Sequence, residues 1–512
     1  MTRPSLSWRE HCWRFTRRWL YLVHRWAGIA GCLLIAMWFL SGLVMMYVAF
    51  PALTDSERHA GLPPLDLPAV RVTPAAAMAG AGLDRFPRSL RLETMGTLPV
   101  YRMVDWRGQP HTVSARDGTR IEQVDAAAAR DIAARFAHAG GARWVETAAR
   151  DQWTVPNGLN AWRPLHRIAL DDEAGTELYV SARTGEVMRD TNRAERFWNW
   201  LGAVPHWLYF TPVRADPPLW RQVVLWTSGV CVAVAVSGIW IGWLRLRVRR
   251  RFAHGSAGGT SPYHGWMAWH HVAGLGGALF LLAWLASGWL SVNPNQWFPA
   301  RNFDQAALER YAGQTLPRFP ELDGGALAAR LDGMAAPREI RMAWQAGLPV
   351  LLVADAGEDG LAGLAVRTIR AIRADDGKTP ALSDAALAAA AASLVPGARV
   401  AGSERLAQPD AYWYGHHQPR RFPVLRVRFD DAAQTWAYID PANGSLLGRS
   451  DRSRRAYRWL FNAAHSWDLG WLLRHRPAWD IAVWALSLAG LVISVSGVVI
   501  GWRRLFRPRR RS

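Results

Sequence analysis

Four of the fifteen histidines stand in matched surroundings. His206 follows Trp200 by six positions in NWLGAVPHWLYF (199–210), and His465 follows Trp459 by six in RWLFNAAHSWDLGW (458–471). The two are 259 positions apart (465 − 206), and each precedes a long apolar run. His24 opens HRWAG and His270 opens HHVAG, 246 positions apart (270 − 24), each at the start of another such run. Imidazole is a common axial ligand of non-covalently held haem, and bundle cores commonly house such cofactors. Two imidazoles on one iron leave no open coordination position, which suits electron transfer rather than oxygen chemistry. One reading is therefore two pairs, His24 with His270 and His206 with His465, as axial ligands of two b-type haems. His271 is a substitute for His270, but its repeat mate is Arg25, so symmetry favours His270. The other reading is that all four are interfacial residues carried through a gene duplication beside their Trp anchors.

Other site chemistry is thin. The tandem His416–His417 in YWYGHHQPRRFPVLRV has no histidine mate and reads as a metal or substrate contact, or as a solvated loop. His11, His59, His111, His138, His254, His264 and His475 sit in polar or flanking sequence and read as surface residues. There is no Ser-His-Asp or H-E-x-x-H arrangement, no C-x-x-C, no P-loop and no G-x-G-x-x-G after a strand. The three cysteines lie in or near apolar segments, so no disulfide is expected in the polar regions.

The elements that must hold the histidines are apolar helices. Four segments without a charge, Ala27–Phe50, Val223–Leu244, Val272–Val292 and Ile481–Trp502, are long enough to cross a hydrocarbon layer of roughly 30 Å. The net charge is +20, and its placement argues against nucleic acid. Residues 1–25 carry six Arg and one Glu, 245–251 five Arg and 503–511 six Arg, so 17 − 1 = 16 of the excess positive charges flank helix ends. That is the positive-inside pattern, and it places all three segments in the cytoplasm. The expected organisation is a cytoplasmic N-terminus (1–26), helix 1 (27–50), an external domain (51–222), helix 2 (223–244), an inner loop (245–271), helix 3 (272–292), a second external domain (293–480), helix 4 (481–502) and a basic tail (503–512). Helix 1 is too long for a signal peptide and is expected to be retained.

The chain also aligns with itself. At an offset of 259, VSGIWIGW (236–243) meets VSGVVIGW (495–502), and RIALDDEAGTELYVSARTGEV (167–187) meets RVRFDDAAQTWAYIDPANGSL (426–446) without a gap. At 246, Ser41–Gly42 meets Ser287–Gly288. The expected fold is a four-helix transmembrane bundle with two external α+β domains, built as a tandem parallel repeat about an axis along the membrane normal. Gly42, Gly238, Gly288 and Gly497 are expected to let helices approach closely. In the external regions, DAAAARDIAARFAHA (125–139) and DAALAAAAASLV (384–395) read as helices. SLRLETM, PVYRMVDW, TELYVSARTGEVM, PVLRVRFD and TWAYIDPANGSLL read as strands, with turns at Asp117–Gly118, Thr184–Gly185 and Asn443–Gly444.

The segments HRWAG…SG, RFWNWLGAVPHWLYF, FPVLRVRFDD…WAYIDPANG and RWLFNAAHSWDLG…RPAWD resemble the PepSY-associated transmembrane family of bacterial inner-membrane proteins, from about residue 18 to 505. The resemblance implies PepSY-like external domains in the periplasm and a link to iron uptake. It implies a two-haem reductase delivering electrons to a ferric siderophore or another ferric chelate. His24, His270, His206 and His465 are the positions that take over the haem ligands. No flavoprotein domain is recognisable, so the donor would be a membrane quinol or a separate reductase. Trp207, Arg214, Trp467, His416 and His417 are the expected docking groups for the acceptor. PepSY domains also resemble protease pro-regions, so the rival expectation is a non-enzymatic, membrane-anchored binding protein.

Overall fold

The computed structural model describes residues 8–247, 260–313, 319–355, 370–416 and 420–506. His417, His254, part of the expected inner loop and most of the basic tail lie outside the described residues. The chain divides into two compact units: residues 1–50, 197–298 and 456–512 form one, and 51–196 with 299–455 form the other.

The first unit is helical. Its long elements are α1 (Trp8–Met45), α2 (Pro217–Arg245), α3 (Gly265–Gly276), α4 (Ala278–Ser291) and α5 (Arg476–Phe506). Three of them, α1, α2 and α5, are long and apolar enough to cross a membrane, and α3 with α4 makes a fourth if the bent pair counts as one span. Their ends follow local chemistry. Asp216 caps α2 by accepting from the Leu219 backbone N–H at 3.1 Å, and Pro217 and Pro218 occupy the first turn, where no amide donor is needed. The expected third helix is instead bent by 72° between α3 and α4. The break falls in GLGG (274–277), where glycines give the backbone no side-chain support. A Cβ on Gly277 would also lie 2.8 Å from Ile493 of α5. Helix α1 packs on α2 and α5, α2 on α4, and α3 on α5. Ile35, Phe39, Cys231, Ala235, Leu281, Leu285 and Ile493 form the buried core between them.

The second unit is built on sheets. Residues 51–196 supply β1 (Ser89–Met95), β2 (Leu98–Val104), β3 (Pro110–Ser114), β4 (Arg120–Ile121), β5 (Ala142–Ala148), β6 (Leu165–Leu170), β7 (Glu177–Ser181) and β8 (Val187–Thr191). Residues 299–455 supply β9 (Pro337–Gln345), β10 (Leu348–Asp355), β11 (Arg370–Arg373), β12 (Val400–Leu406), β13 (Val424–Phe429), β14 (Trp436–Ile439) and β15 (Leu446–Ser450). The two segments, expected as separate domains, are joined. β1 pairs antiparallel with β9 (Leu90↔Met342, Leu92↔Ile340), giving one sheet in the order β11-β10-β9-β1-β2-β3-β4. Pairing of this kind removes two sheet edges that would otherwise be exposed. Each segment also has its own four-stranded meander, β5-β6-β7-β8 and β12-β13-β14-β15. The helix Ala126–Phe136, capped by Asp125, packs on the first meander, and Asp384–Ala391, capped by Ser383, packs on the second. Gly185 (φ +67°) and Gly444 (φ +74°) close the expected turns in the left-handed conformation that glycine tolerates best.

At the β1–β9 seam lies a buried ion cluster: Arg58, Arg91 and Arg102 against Glu93, Glu186 and Glu339. Arg102 Nε donates to Glu93 Oε1 at 2.9 Å, and Arg58 donates to Glu339. His59, expected on the surface, is 2% exposed and bonds Glu339 Oε1 through Nε2 at 3.4 Å. Burial would raise the Glu186 carboxyl, but the charges of Arg91 and Arg102 outweigh it and hold it down at about 2. Glu339 is likewise held well below the usual carboxylate range. Its burial is outweighed by the His59 hydrogen bond and by Arg58 and Arg91.

Candidate functional site

The four matched histidines come together as two pairs in the helical unit. His24 on α1 faces His270 on α3, with ring centres 6.3 Å apart and planes 44° apart. His206 and His465 end or lie within the short helices Ala203–His206 and Ala464–Ser466. Their ring centres are 6.2 Å apart and their planes 71° apart. On α1 one pair is reached at His24 and the other is met at Ser41, whose Oγ lies 3.1 Å from His206 Nδ1. Those 17 residues (41 − 24) at about 1.5 Å each put the pairs about 25 Å apart along the helix, most of a hydrocarbon layer.

Each ring is anchored through Nδ1. His24 Nδ1–H donates to the Val234 carbonyl (3.1 Å), His270 to Ile493 (3.0 Å) and His206 to Trp38 (3.2 Å). His465 bonds Ser287 Oγ at 3.0 Å and the Trp284 carbonyl. A carbonyl only accepts, so Nδ1 carries the proton and Nε2 is left with its lone pair. Among the described residues all hydrogen bonds of these four side chains run through Nδ1. An imidazole whose Nδ1–H is held by a carbonyl, with Nε2 unprotonated, is the usual state of a metal-ligating histidine. The spacing agrees. A ligating nitrogen lies about 2.0–2.1 Å from its metal and about 1.1 Å from its own ring centre, so two rings on one metal have centres about 6.3 Å apart. Among the described residues no group of three or more His, Cys, Asp or Glu could hold a metal ion. Two imidazoles are too few ligands for a bare ion and fit a metal that brings its own in-plane ligands.

A family profile described as the PepSY-associated TM region matches residues 21–374. The chain belongs to that family. The match takes in His24, His206 and His270 and stops short of His465, whereas the sequence resemblance runs on to about residue 505. No curated protein matches the chain. The chain is thus a membrane protein of the PepSY-associated TM family, with apolar spanning helices and a separate sheet unit.

The remaining candidate residues of this PepSY-associated protein are spread over both units. His271 is 8% exposed and has both nitrogens engaged, Nδ1 with Ser261 Oγ (2.8 Å) and Nε2 with the Gly242 carbonyl (3.0 Å). It ties residue 261 to the end of α2 and is not poised to replace His270. Arg214 is 7% exposed, with its guanidinium over Tyr209 (5.1 Å) and Trp220 (4.7 Å), where it braces an aromatic cluster. Trp207 is partly exposed beside Phe50 and Tyr209, and Trp467 packs with Leu472 and Trp479. Both belong to the helical unit, and half-buried His416 belongs to the sheet unit. Sequence reading also misses Phe461, which stacks on His465 at 5.2 Å from a turn of π-helix (Arg458–Ala463). Its repeat counterpart is Gly202, so no symmetry signal marks it.

Proposed function

We propose that this protein is a tandem-repeat four-helix bundle in a bacterial inner membrane that holds two b-type haems. It would pass electrons to an acceptor at the periplasmic face, a ferric siderophore or similar ferric chelate, from a quinol or a separate reductase. The observation that carries this reading is the ring spacing of 6.2–6.3 Å in both pairs, with Nδ1 fixed in all four rings. Haem bound between them would supply a one-electron couple. His24 and His270 would hold the inner one, His206 and His465 the outer. The apolar helices would exclude water, and one-electron transfer would need no side chain as acid or base. A cofactor bearing carboxylates also suits two indole N–H groups near the outer pair. Trp38 Nε1 and Trp467 Nε1 are buried and have no hydrogen-bond partner among the described residues. Each such orphan donor costs about 1–3 kcal/mol unless an acceptor is brought in. An acceptor that takes up an electron at Fe(III) becomes Fe(II), a softer ion that hard oxygen ligands bind less well, and the metal is released.

The test is an absorption spectrum of detergent-purified protein before and after dithionite, with pyridine haemochrome quantitation. A reduced b-type α-band and two haems per chain are expected. A folded protein, made with ample haem, that stays colourless sinks the reading and leaves a membrane-anchored binding protein. A second expectation separates the adjacent histidines. His271→Ala keeps both haems and His270→Ala does not. Equal haem loss in the two variants would show that His271 is a ligand.

A further inference from the structure

Each of the four histidines is seated by a different element from the one that carries it. The seat is the same each time: a carbonyl, two intervening residues, then Ser–Gly. His24 sits on Val234, Ser237 and Gly238 of α2, and His270 on Ile493, Ser496 and Gly497 of α5. His206 sits on Trp38, Ser41 and Gly42 of α1, and His465 on Trp284, Ser287 and Gly288 of α4. In three seats the serine hydroxyl donates to the carbonyl three residues back, at 2.8–3.0 Å, whereas Ser41 shares its proton between the Met37 carbonyl (2.7 Å) and the Trp38 carbonyl (3.2 Å). In each seat the serine oxygen also lies within 3.0–3.3 Å of Nδ1, so the Nδ1–H points between two oxygens of one helix turn.

The glycine that follows meets the ring edge. A Cβ on Gly238 would lie 2.6 Å from His24 Cε1, on Gly42 3.3 Å from His206 Cε1, on Gly497 3.3 Å from His270 Cε1 and on Gly288 3.5 Å from His465 Cε1. None of the four has a positive φ, so the backbone does not require glycine there. Glycine weakens a helix relative to alanine, so its use needs a reason. At Gly238 and Gly42 the missing Cβ makes room for the ring edge. At Gly497 it makes room first for Cys32 Sγ and then for the ring, and at Gly288 a Cβ would only touch the ring in ordinary contact. At Gly42, Gly238 and Gly288 the nearest neighbour is an imidazole, whereas at Gly497 the expected close approach of helices holds, with Cys32 of α1 nearer than the His270 ring.

We propose that these four Ser–Gly dipeptides are positioning residues for the axial imidazoles. The serine and its carbonyl set the rotation of each ring about the metal–nitrogen axis, and at Gly238 and Gly42 the glycine sets how closely the ring approaches the helix. The proposal rests on the haem reading. The sequence holds five Ser–Gly dipeptides, and the fifth is an internal control: Gly229 faces Trp289, not a histidine.

The readout is low-spin ferric EPR, whose g values follow the angle between the two imidazole planes, together with a redox titration of the same samples. The wild-type protein is expected to show two low-spin signals, since the planes meet at 44° in one pair and 71° in the other. Ser41→Ala should move the signal that His206→Ala abolishes, and Ser237→Ala the one that His24→Ala abolishes. Each should raise the midpoint potential of that centre alone, because a weaker hold on Nδ1–H makes a less basic ligand. Gly238→Ala should lose most of the inner haem and Gly288→Ala little of the outer, in the order of the distances above. Ser228→Ala and Gly229→Ala should change neither signal. Should Gly238→Ala fail to fold, Ser237→Ala, which removes a single oxygen, decides the matter. Haem-loaded variants at Ser41 and Ser237 with unaltered signals and potentials would overturn the seats and leave the haem reading standing. A colourless wild-type protein would overturn both.

Discussion

On the two-haem proposal, replacing His206 with alanine is expected to remove about half of the bound haem and nearly all reduction of an external ferric chelate. The remaining partner, His465, would still be stacked on Phe461 and anchored by Ser287, so one axial ligand survives without its mate. Losing a second-shell partner typically costs about 10–100-fold in metal affinity, and losing a direct ligand should cost more. The inner pair is about 25 Å away along α1 and shares none of the outer seat's residues, so its haem should remain. His24→Ala is the mirror experiment and should leave only the outer haem. The two variants should therefore be complementary in spectrum, each keeping the signal that the other loses. The pairing is wrong if both variants keep the same signal, or if either loses all of its haem while its circular dichroism is unchanged.

That experiment addresses residues that are legible in the sequence, and the reason is physical. A hydrocarbon layer of about 30 Å demands some 20 apolar residues, so α1, α2 and α5 announce themselves. A histidine recurring at two fixed offsets at the ends of such runs is also conspicuous. Its seat is not. Ser41–Gly42 and Ser287–Gly288 serve equally well as register marks of a repeat, and a glycine in an apolar helix is read first as a place where helices touch. Only the position of the imidazole edge decides between helix and ring. The bend at Gly277 is hidden for a related reason, since hydropathy reports how apolar a segment is and not its direction. His271 looks like a spare ligand beside His270, and only the two hydrogen bonds of its ring show it as a tie.

In the sheet unit, alternation marks β1 as a strand, but nothing local names its partner. That partner is β9, about 250 residues further along the chain. His59 misleads in the same way. Its neighbours in TDSERHAG are polar, and its burial is fixed by Glu339, 280 positions away. The short range of helix and turn chemistry makes caps and turns readable, whereas the long-range pairings that join the two segments of the sheet unit are not.

The residue that closes this joint, Glu339, should be the most costly single charge to remove from the sheet unit. Three arginines and three glutamates balance there with little water, so Glu339→Gln leaves one buried guanidinium without a counter-charge. Breaking a buried pair from one side costs about 3–5 kcal/mol, and for a unit of this size that should lower its melting transition by on the order of 5–10 °C. Calorimetry of the full-length protein in detergent measures it. The double variant Arg58→Met with Glu339→Met removes one charge of each sign, so it should recover most of the loss even though it deletes more hydrogen bonds. The pH dependence has a definite sign. Glu186 and Glu339 are held below their unfolded values, so their contribution is complete above about pH 4.3, the ordinary glutamate pKa, and is lost as the pH falls through their folded values, about 2 for Glu186. Glu339→Gln should therefore flatten the acid limb of the stability profile as well as lower its plateau. A plateau unchanged at neutral pH, or a double variant no more stable than Glu339→Gln, would mean that the seam is held by the β1–β9 ladder and its apolar neighbours, with the charges contributing little.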